Sequence, residues 1–454
     1  MLFFKMYRKR IVSAIVLIAM LAGMGYIVGF FLKPVQYETD IYASEFDEMK
    51  KHDEKVDLVI LGTSRIIRSC NPFIFEEKLS LNNVFNLSMN QLDINGCYFQ
   101  LKEFVEEFHP KTVVLSITHG TLIKQETPII VKSKLTERLH GLNCLEYINE
   151  NFSINEYPYI MPLYCYRKNI FNIKQNVKDR LEFQKTGRLK NGKRQYIGKG
   201  FAPYTQRVPL GNIGIKQIKK FDKTLINKSA TYYLEKCIRL CKDNNIQLIF
   251  MTPPTSMAYI YNINNYQEVI DYISNYATKN DIIYHNLNYL KGKEEWLPDS
   301  MMNDTDHINK AGSTVVSEKY AEILSKSLKN IDTSEYFYPT LSEMQKDVKR
   351  IVAVDAKPVI KNNTMTLSIQ SLQNNDVTPY YQVLMAKDKI TFNPVINWTS
   401  EKNVSFAVPK KGSAYRILLR ARRNENDTAY AWMAWDIDKK GKVNKIKNTP
   451  VAVR

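Results

Sequence analysis

Five short apolar runs, separated by helix-like segments, restrict the fold of this chain more than any other feature. The runs are 56–61, 83–87, 112–117, 246–251 and 282–285. Strands that are apolar at every position are buried on both faces, as in a parallel sheet. Helical spacing of apolar residues recurs between them, at 93–108, 227–244, 264–279 and 309–329. The pattern predicts a three-layer α/β/α fold in which helices cover both faces of a parallel sheet.

The remaining sequence suggests an insertion and a second domain, as a length of 454 residues allows. We predict an α/β domain over 33–335, interrupted at 122–226 by irregular Tyr-, Asn- and Lys-rich sequence at the edge of the fold. From 345 to 454 short alternating runs are separated by turns rich in Asn, Asp, Gly and Pro, which favours a β-sandwich. The predicted strands there are 351–356, 364–370, 380–385, 404–408, 415–420 and 429–437.

Every residue from 11 to 32 is uncharged, and most are apolar. At about 1.5 Å per residue this run would cross a bilayer core of roughly 30 Å. Basic residues precede it in a predicted cytoplasmic tail, 1–10, and acidic residues follow, so the positive-inside rule places residues 33 onward outside the cell. The alternatives are a cleaved signal peptide, which would have a shorter apolar region, and a buried core helix.

The charge is strongly basic, with 64 Lys and Arg against 46 Asp and Glu. Such an excess favours anionic partners. A location outside the cell argues against nucleic acid and for anionic surface polymers or lipid head groups. The segment 167–223 holds sixteen of the basic residues against three acids, and is interpreted either as a mobile surface insertion or as a groove wall or membrane-facing patch.

The six cysteines form no CxxC pair and no metal-ligand spacing, so no metal or other cofactor is predicted. Cys237 and Cys241 share one face of a predicted helix, which favours buried free thiols. Disulfides are permitted outside the cell, but the sequence assigns no pairing.

A candidate nucleophile, Ser64, follows the first predicted strand in the run Gly62-Thr63-Ser64-Arg65. Ligands of an open parallel sheet bind beyond the carboxyl ends of its strands, which is where this hydroxyl would lie. A serine at a strand-to-helix junction can equally be a helix N-cap. The motif alone does not separate these two roles.

A candidate base, His307, lies before the last predicted helix, three residues after Asp304. This spacing lets a carboxylate orient one ring nitrogen while the other faces a nucleophile. Asp306 is a second candidate for the orienting acid, and a surface capping cluster is the structural alternative. Together with Ser64, these residues predict a Ser-His-Asp site for acyl transfer.

Three blocks carry a resemblance to the SGNH (GDSL-type) hydrolases, over roughly residues 55 to 330. They are Gly62-Thr63-Ser64, Phe85-Asn86-Leu87-Ser88-Met89-Asn90, and Asp304-x-x-His307-Ile308-Asn309-x-x-Gly312. The chain is most similar to the membrane-anchored branch linked to O-acylation of polysaccharide and teichoic acid. The resemblance implies Ser64 as nucleophile, His307 as base and Asp304 as its orienting partner.

The resemblance also implies an oxyanion and substrate-binding set of Ser88, Asn90 and His119. Ser88 stands where the family has a glycine whose N–H joins the oxyanion hole. His119 stands where the family has an asparagine donor. An imidazole can donate a hydrogen bond there, or His119 can be a structural loop residue.

The C-terminal segment resembles Ig-like Tyr-rich sandwich modules, on Tyr380-Tyr381-Gln382 and the run from Pro409 to Ala421. Trp398, Trp432 and Trp435 lie in this segment and could stack on carbohydrate, although core packing is the alternative.

Three functions follow as hypotheses. The first is a membrane-anchored, extracytoplasmic O-acetyltransferase of a surface polysaccharide or teichoic-acid-like polymer; the resemblance implies a polytopic membrane O-acyltransferase as its partner. The second is a carbohydrate O-acetylesterase. The third is a non-catalytic surface binding protein, in which the sandwich does the binding. Alternatively, the sandwich is a sensor-like module that regulates the enzyme.

Overall fold

The computed structural model describes residues 2–124, 126–186, 196–204, 215, 221–374, 377–410, 412–424 and 431–446. Its α-helices are α1 (Leu2–Leu32), α2 (Tyr42–Lys51), α3 (Ser64–Ser69), α4 (Pro72–Leu79), α5 (Ile94–Phe108), α6 (His119–Ile123), α7 (Ile129–Thr136), α8 (Gly141–Asn151), α9 (Pro162–Tyr166), α10 (Ile173–Thr186), α11 (Lys228–Asp243), α12 (Met257–Tyr261), α13 (Tyr266–Lys279), α14 (Lys293–Trp296), α15 (Lys310–Ser327) and α16 (Leu341–Asp347). Single π or 3₁₀ turns lie at Tyr37–Ile41, Tyr157–Ile160, Arg167–Asn172, Lys223–Leu225, Asp299–Met301 and Ser334–Tyr336.

A five-stranded parallel sheet forms the centre of the first domain, as the apolar runs predict. Its strands are β1 (Leu58–Leu61), β2 (Val84–Asn86), β3 (Thr112–Ser116), β4 (Gln247–Thr252) and β5 (Ile283–Asn286), in the order β2-β1-β3-β4-β5. In β1, Leu58 and Ile60 pack on the face covered by α4 and α15, while Val59 and Leu61 pack on the face covered by α5 and α11. Helices therefore cover both faces of the sheet.

The strand order places a topological switch beside β1. The chain passes from β1 to β2 on one side, and then to β3 on the other side. The connections leaving β1 and β3 diverge there, which opens a crevice at the carboxyl ends of these two strands.

The segment 122–226, whose sequence is irregular, is helical and packed against the main core where the structure describes it. Within 122–226, α7, α8 and the helices that follow contribute buried Leu135, Tyr147 and Phe152 to the main core. The Tyr147 and Phe99 rings meet edge-on with centroids 5.2 Å apart, so contacts with α5 order a segment whose own apolar spacing is weak. The described part of this irregular sequence therefore forms helices, and its placement as an insertion at the edge of the fold stays a prediction. Residues 187–195, 205–214 and 216–220, which hold many of its lysines and arginines, lie outside the described residues.

The N-terminal helix is longer than the predicted span. Helix α1 begins at Leu2, so it includes the basic stretch expected to be a separate tail, and Tyr7–Leu32 is long and apolar enough to cross a membrane. The segment between α1 and β1 is packed against the α/β domain, since Tyr42 and Phe46 of α2 lie in the main core.

The C-terminal region consists of two antiparallel sheets. Their strands are β6 (Ile351–Lys361), β7 (Thr364–Gln373), β8 (Tyr380–Ala386), β9 (Asn393–Thr399), β10 (Asn403–Ala407), β11 (Tyr415–Arg422), β12 (Ala431–Ile437) and β13 (Val443–Lys445), ordered β10-β7-β6 and β13-β12-β11-β8-β9. Buried residues of both sheets share one apolar core. Strands β9 and β13 were missed by the sequence analysis, and residues 447–454 lie outside the described residues.

The two domains contact each other through polar side chains. Arg350 pairs with Glu294, and its Nη2 lies 2.8 Å from Asp299 Oδ2. The Tyr261 hydroxyl donates to Asn374 Oδ1 at 2.5 Å. The C-terminal sheets are thus held against α12 and α14 rather than joined only by the linker.

Candidate active site

Ser64 lies at the carboxyl end of β1, beside the topological switch. The chain turns sharply at Gly62, where an added Cβ would come within 2.6 Å of Ser116 Cβ and 2.8 Å of Ile66 Cγ1. Only a glycine fits that close approach of β1, β3 and α3. Ser64 then begins α3, with its side chain partly exposed at the sheet edge.

The loop before α15 holds His307 through its own hydrogen bonds. Asn309 caps α15, accepting from the Gly312 N–H at 3.1 Å and donating to the Ser300 carbonyl at 2.9 Å. The Asp304 carboxylate accepts the His307 backbone N–H at 2.8 Å. The spacing of Asp, His, Asn and Gly in this motif therefore follows from a helix cap and a tight turn.

These two motifs meet in space. Ser64 Oγ lies 2.8 Å from His307 Nε2, although the residues are 243 positions apart in the chain. His307 Nδ1 lies 2.9 Å and 3.1 Å from the two carboxylate oxygens of Asp304. When Nδ1–H donates to Asp304, Nε2 is left to accept the serine proton, which is the arrangement required for general-base activation of a hydroxyl.

Two carboxylates share the imidazole, but their surroundings differ. Asp306 Oδ1 lies 3.3 Å from His307 Nδ1, farther than the nearer oxygen of Asp304. Asp306 Oδ2 accepts two hydrogen bonds from Arg65, at 2.8 Å and 3.2 Å. Arg65 also donates to the Tyr259 hydroxyl at 2.7 Å. The charge of Asp306 is thus largely balanced by Arg65, which leaves Asp304 as the principal orienting acid.

The electrostatics of the loop favour a protonated imidazole in the resting protein. Burial lowers the pKa of His307, but hydrogen bonds to Asp304 and Asp306 and their negative charges outweigh it and raise the pKa to about 9. Burial opposes ionisation of Asp306, yet His307 and Arg65 hold the pKa of that carboxyl well below its usual range. The acids that orient His307 therefore also hold its proton at neutral pH.

Ser88 and Asn90 have partners outside the cleft. The Ser88 N–H donates to Asn86 Oδ1 at 3.3 Å, so the donor assigned to an oxyanion is directed at a side chain. The Asn90 N–H donates to Glu38 Oε1 and its Nδ2 to the Tyr37 hydroxyl, each at 2.8 Å. Their oxyanion role stays a prediction, while these contacts give both residues a structural role.

His119 is buried at the start of α6, with 6% of its surface exposed. Burial and the nearby charge of Arg65 lower the pKa of His119, so its imidazole is neutral at pH 7. Its Nε2 has no hydrogen-bond partner among the residues that the structure describes. The predicted donor role of His119 thus remains open to experiment.

Further site residues were missed by the sequence analysis. Arg65 and Tyr259 position Asp306, as described above. The Tyr204 ring meets His307 edge-on at 5.8 Å and lies 4.5 Å from the Arg68 guanidinium. Arg65 follows Ser64 directly and could have been suspected from its charge at the sheet edge. Tyr204 lies in the insertion, where no motif marks it.

A cleft of about 320 Å³ opens over the serine. It is lined by Thr63, Ser64, Arg65, Gln91, Leu92, Thr118, Gly120, Thr121, Lys124, Pro128 and Asp306.

Donor atoms of Asp304, Asp306 and His307 lie within 4.8 Å of one another, as metal ligands could. Since His307 contacts Ser64 and Asp306 contacts Arg65, a hydrogen-bonded triad accounts for this cluster.

Comparison with known proteins gives weak likenesses. No family model matches the chain, and no curated protein matches it. A lipolytic protein of the G-D-S-L family from Desulfitobacterium hafniense superposes with a TM-score of 0.30 and 12% identity, over 59% of this chain and 99% of its own. A GDSL-like lipase from Bacteroides thetaiotaomicron gives 0.30 and 11%, over 64% and 97%. An acylhydrolase from Bacteroides fragilis gives 0.29 and 12%, over 63% and 96%. Superpositions this weak assign neither a family nor a function to the chain, so the proposal below is based on the geometry of the site.

Proposed function

We propose that this chain is a membrane-anchored, extracytoplasmic serine acyl-enzyme that O-acetylates a cell-surface polysaccharide or an anionic polymer such as teichoic acid. One observation carries the proposal: Ser64 Oγ, His307 Nε2 and Nδ1, and Asp304 form a continuous hydrogen-bonded series that opens into a cleft. Transfer of the Ser64 proton to His307, whose charge Asp304 then stabilises, converts a weakly nucleophilic hydroxyl into an attacking group.

In the first half-reaction, Ser64 Oγ bonds to the carbonyl carbon of an acetyl donor. Its proton passes to His307 Nε2, and Asp304 stabilises the resulting imidazolium through Nδ1–H. The tetrahedral intermediate then expels the donor's leaving group, which takes the proton from His307. The product is an acetyl ester on Ser64.

In the second half-reaction, a hydroxyl of the polymer attacks the acetyl-serine. His307, again neutral, accepts the hydroxyl proton and then returns it to Ser64 Oγ as the ester bond to the enzyme breaks. Arg65, Lys124 and Asp306 line the cleft. Because Asp306 pairs with Arg65, the charge of Lys124 is the one that would favour an acceptor with negative charge.

The anchor is supported by the surroundings of α1. Ile15, Val16 and Ile18 are 59%, 51% and 66% exposed, and an apolar helix face of this kind is stable in lipid rather than in water. The end of the helix is packed instead: Leu32 is 1% exposed, and an added Cβ at Gly29 would come within 2.1 Å of the Leu163 nitrogen. Integration of the helix end into the fold favours a retained anchor over a cleaved signal peptide.

An acetyl donor on the cytoplasmic side could not reach an outside site without help. We therefore propose a polytopic membrane O-acyltransferase as the partner that supplies the acyl group. Exposed basic side chains of the insertion, including Lys174, Lys178 and Lys185, would attract the acceptor polymer.

Hydrolysis is the second candidate, because water reaches the site. The Asp304 side chain is 39% exposed, and Ser64 and His307 are partly exposed. A site open to solvent favours attack by water on the acetyl-serine, which would make the protein a carbohydrate O-acetylesterase.

A fluorophosphonate probe tests the nucleophile. The full-length protein in lipid nanodiscs should be labelled covalently, and Ser64→Ala should abolish the labelling. Ser229→Ala is the matched control, since Ser229 is an exposed serine on α11. Labelling that survives in Ser64→Ala would contradict the assignment, and a folded wild-type protein that resists the probe would favour a binding protein.

Product analysis then separates transfer from hydrolysis. With a chromogenic acetyl ester as donor, a transferase should release acetate slowly until a polysaccharide acceptor is added, and acetylated polymer should then accumulate. Free acetate at an unchanged rate in the presence of acceptor would favour the esterase.

A further inference from the structure

Residues 157–171 pack against the C-terminal end of α1 and carry exposed apolar side chains. Exposed members are Tyr157, Met161, Leu163, Tyr164, Ile170 and Phe171, which we call the 157–171 patch. Phe171 is 95% exposed. Leaving a phenylalanine in water costs free energy, and a run of apolar groups such as this one marks a contact surface.

Helix α1 and the 157–171 patch pack directly against each other. Helix α9 packs along the last turns of α1, and the Leu163 backbone fits against Gly29. The Leu32 carbonyl accepts hydrogen bonds from Asn176 at 2.7 Å and Asn169 at 3.2 Å. These bonds satisfy the end of α1 with side chains of the insertion, so the patch has a fixed position relative to the helix.

The depth of the patch in a bilayer follows from the length of the helix. The uncharged run 11–32 spans about 33 Å, close to the roughly 30 Å of the hydrocarbon core. If α1 crosses the bilayer, Leu32 lies at the outer boundary, and Gly29 lies about 4.5 Å nearer the centre. Leu163 contacts Gly29 through its backbone and Gly25 through its side chain, so it then lies on the acyl-chain side of the boundary between acyl chains and head groups.

The side chains of the patch suit that boundary. Tyrosines and basic residues are enriched where acyl chains meet head groups. Tyr164 lies 4.0 Å from the Arg167 guanidinium, and Arg167 and Lys168 are exposed next to it. Apolar groups beside exposed cations suit a membrane interface, with acyl chains below and lipid phosphate groups at the level of the cations.

From this juxtaposition we infer that the 157–171 patch inserts into the outer-leaflet interface, as a second membrane contact beside α1. The inference rests on the proposed anchor and is independent of the acyl chemistry. It fixes the orientation of the domain on the membrane, because a helix and a separate patch together define a face, whereas one helix leaves rotation free. Lipid is favoured over a protein partner because the patch continues the surface of the helix itself.

Site-specific photocrosslinking tests this contact in the full-length protein. Phe171→p-benzoylphenylalanine is placed in nanodiscs of phosphatidylcholine and phosphatidylglycerol, irradiated, and analysed by mass spectrometry. Because Phe171 is 95% exposed, the substitution leaves packing intact. We expect lipid adducts at a level at least about fivefold above those of Ile390→p-benzoylphenylalanine, since Ile390 is also exposed, at 65%, but belongs to the C-terminal domain.

A probe at Leu17 distinguishes the two ways of failing. Leu17 lies within the apolar run and is 57% exposed. Lipid adducts at Leu17 with none at Phe171 would overturn the inference and leave the anchor in place. No adducts at either position would overturn the anchor as well. In cell membranes, a protein adduct at Phe171 in place of lipid would reject the lipid contact.

Discussion

The carboxyl edge of the parallel sheet and the C-terminal pair of sheets use their side chains in opposite ways. At the sheet edge, Ser64, Arg65 and His307 are partly exposed and hold one another through polar contacts. In the C-terminal domain, Trp432 and Trp435 are each 4% exposed and pack in apolar clusters. The contrast indicates that the polar cluster at the sheet edge and the apolar core of the C-terminal domain can be changed separately, which mutations can test.

The contrast also decides between the two roles considered for the three tryptophans of the C-terminal domain. Burial of Trp432 and Trp435 excludes a stacking surface made of all three tryptophans. Trp398 is half-buried and covered by Arg422, whose guanidinium lies 3.9 Å from the ring. Core packing and an arginine contact therefore account for these residues.

Removing the base should give the largest effect. His307→Gln leaves Ser64 without a proton acceptor, so we expect kcat for acetyl-ester turnover to fall by about 10³-fold or more. At pH 10, where the imidazole is neutral in the wild-type protein, the melting temperature should change little, since His307 is a partly exposed loop residue. Steady-state kinetics and calorimetry check this, and a large loss of stability would break the proposed separation of the two regions.

Trp435→Ala is the reciprocal change in the C-terminal domain. Truncating a buried tryptophan leaves a cavity and should destabilise that domain by about 3–5 kcal/mol. Ester turnover at 25 °C should persist while the α/β domain stays folded. Denaturant unfolding followed beside activity measures both; simultaneous loss would mean that the two domains unfold as one unit.

The two acids at the sheet edge should also differ. Asp304→Asn keeps an acceptor for the loop N–H groups but loses the charge that orients the imidazole, so kcat should fall by about 10²–10⁴-fold. Asp306→Asn should cost about tenfold or less, because Arg65 already balances that charge. Parallel kinetics of the two variants decide the assignment, and a larger loss for Asp306→Asn would reverse their roles.

The last prediction concerns the pH profile, in which the shift produced by Asp306→Asn is the smallest effect expected. His307 must be neutral to act as a base, and its pKa is raised to about 9, so kcat/KM should climb between pH 7 and 9 and level off above. Asp306→Asn removes one interaction that favours the imidazolium, and should move the climb to lower pH. The same raised pKa stabilises the fold fully below about pH 6.5, and this contribution is lost as pH rises through about 9. A flat profile from pH 6 to 10 would contradict a titrating base.

How far the sequence determined these features depends on the range of the contacts involved. The five parallel strands were predicted within one or two residues, because burial on both faces leaves an apolar run in the sequence itself. Ser64 and His307 were predicted to share one edge because carboxyl ends of parallel strands converge there. Both signals are local, and the topology brings them together.

What the sequence did not predict depends on contacts between distant segments. Helices α7 and α8 are ordered by aromatic packing on α5, which has no local signature. Strand β9 contains Pro394 and lies at a sheet edge, where proline is tolerated although it argues against a strand. Tyr204 reaches His307 from the insertion, and no spacing rule predicts such a contact.

The turn at Tyr37–Ile41 links the end of α1 to the loops below the cleft, since Tyr37 contacts Arg68 and Asn90 while Glu38 accepts the Asn90 N–H. Only four residues separate this turn from α1. A site on a flexible linker can reach substrates at many distances from the membrane. A site packed closely against its transmembrane helix stays at one distance. If α1 spans the bilayer and the proposed acyl transfer takes place in the cleft, only polymer hydroxyls at one distance from the lipid surface would reach Ser64.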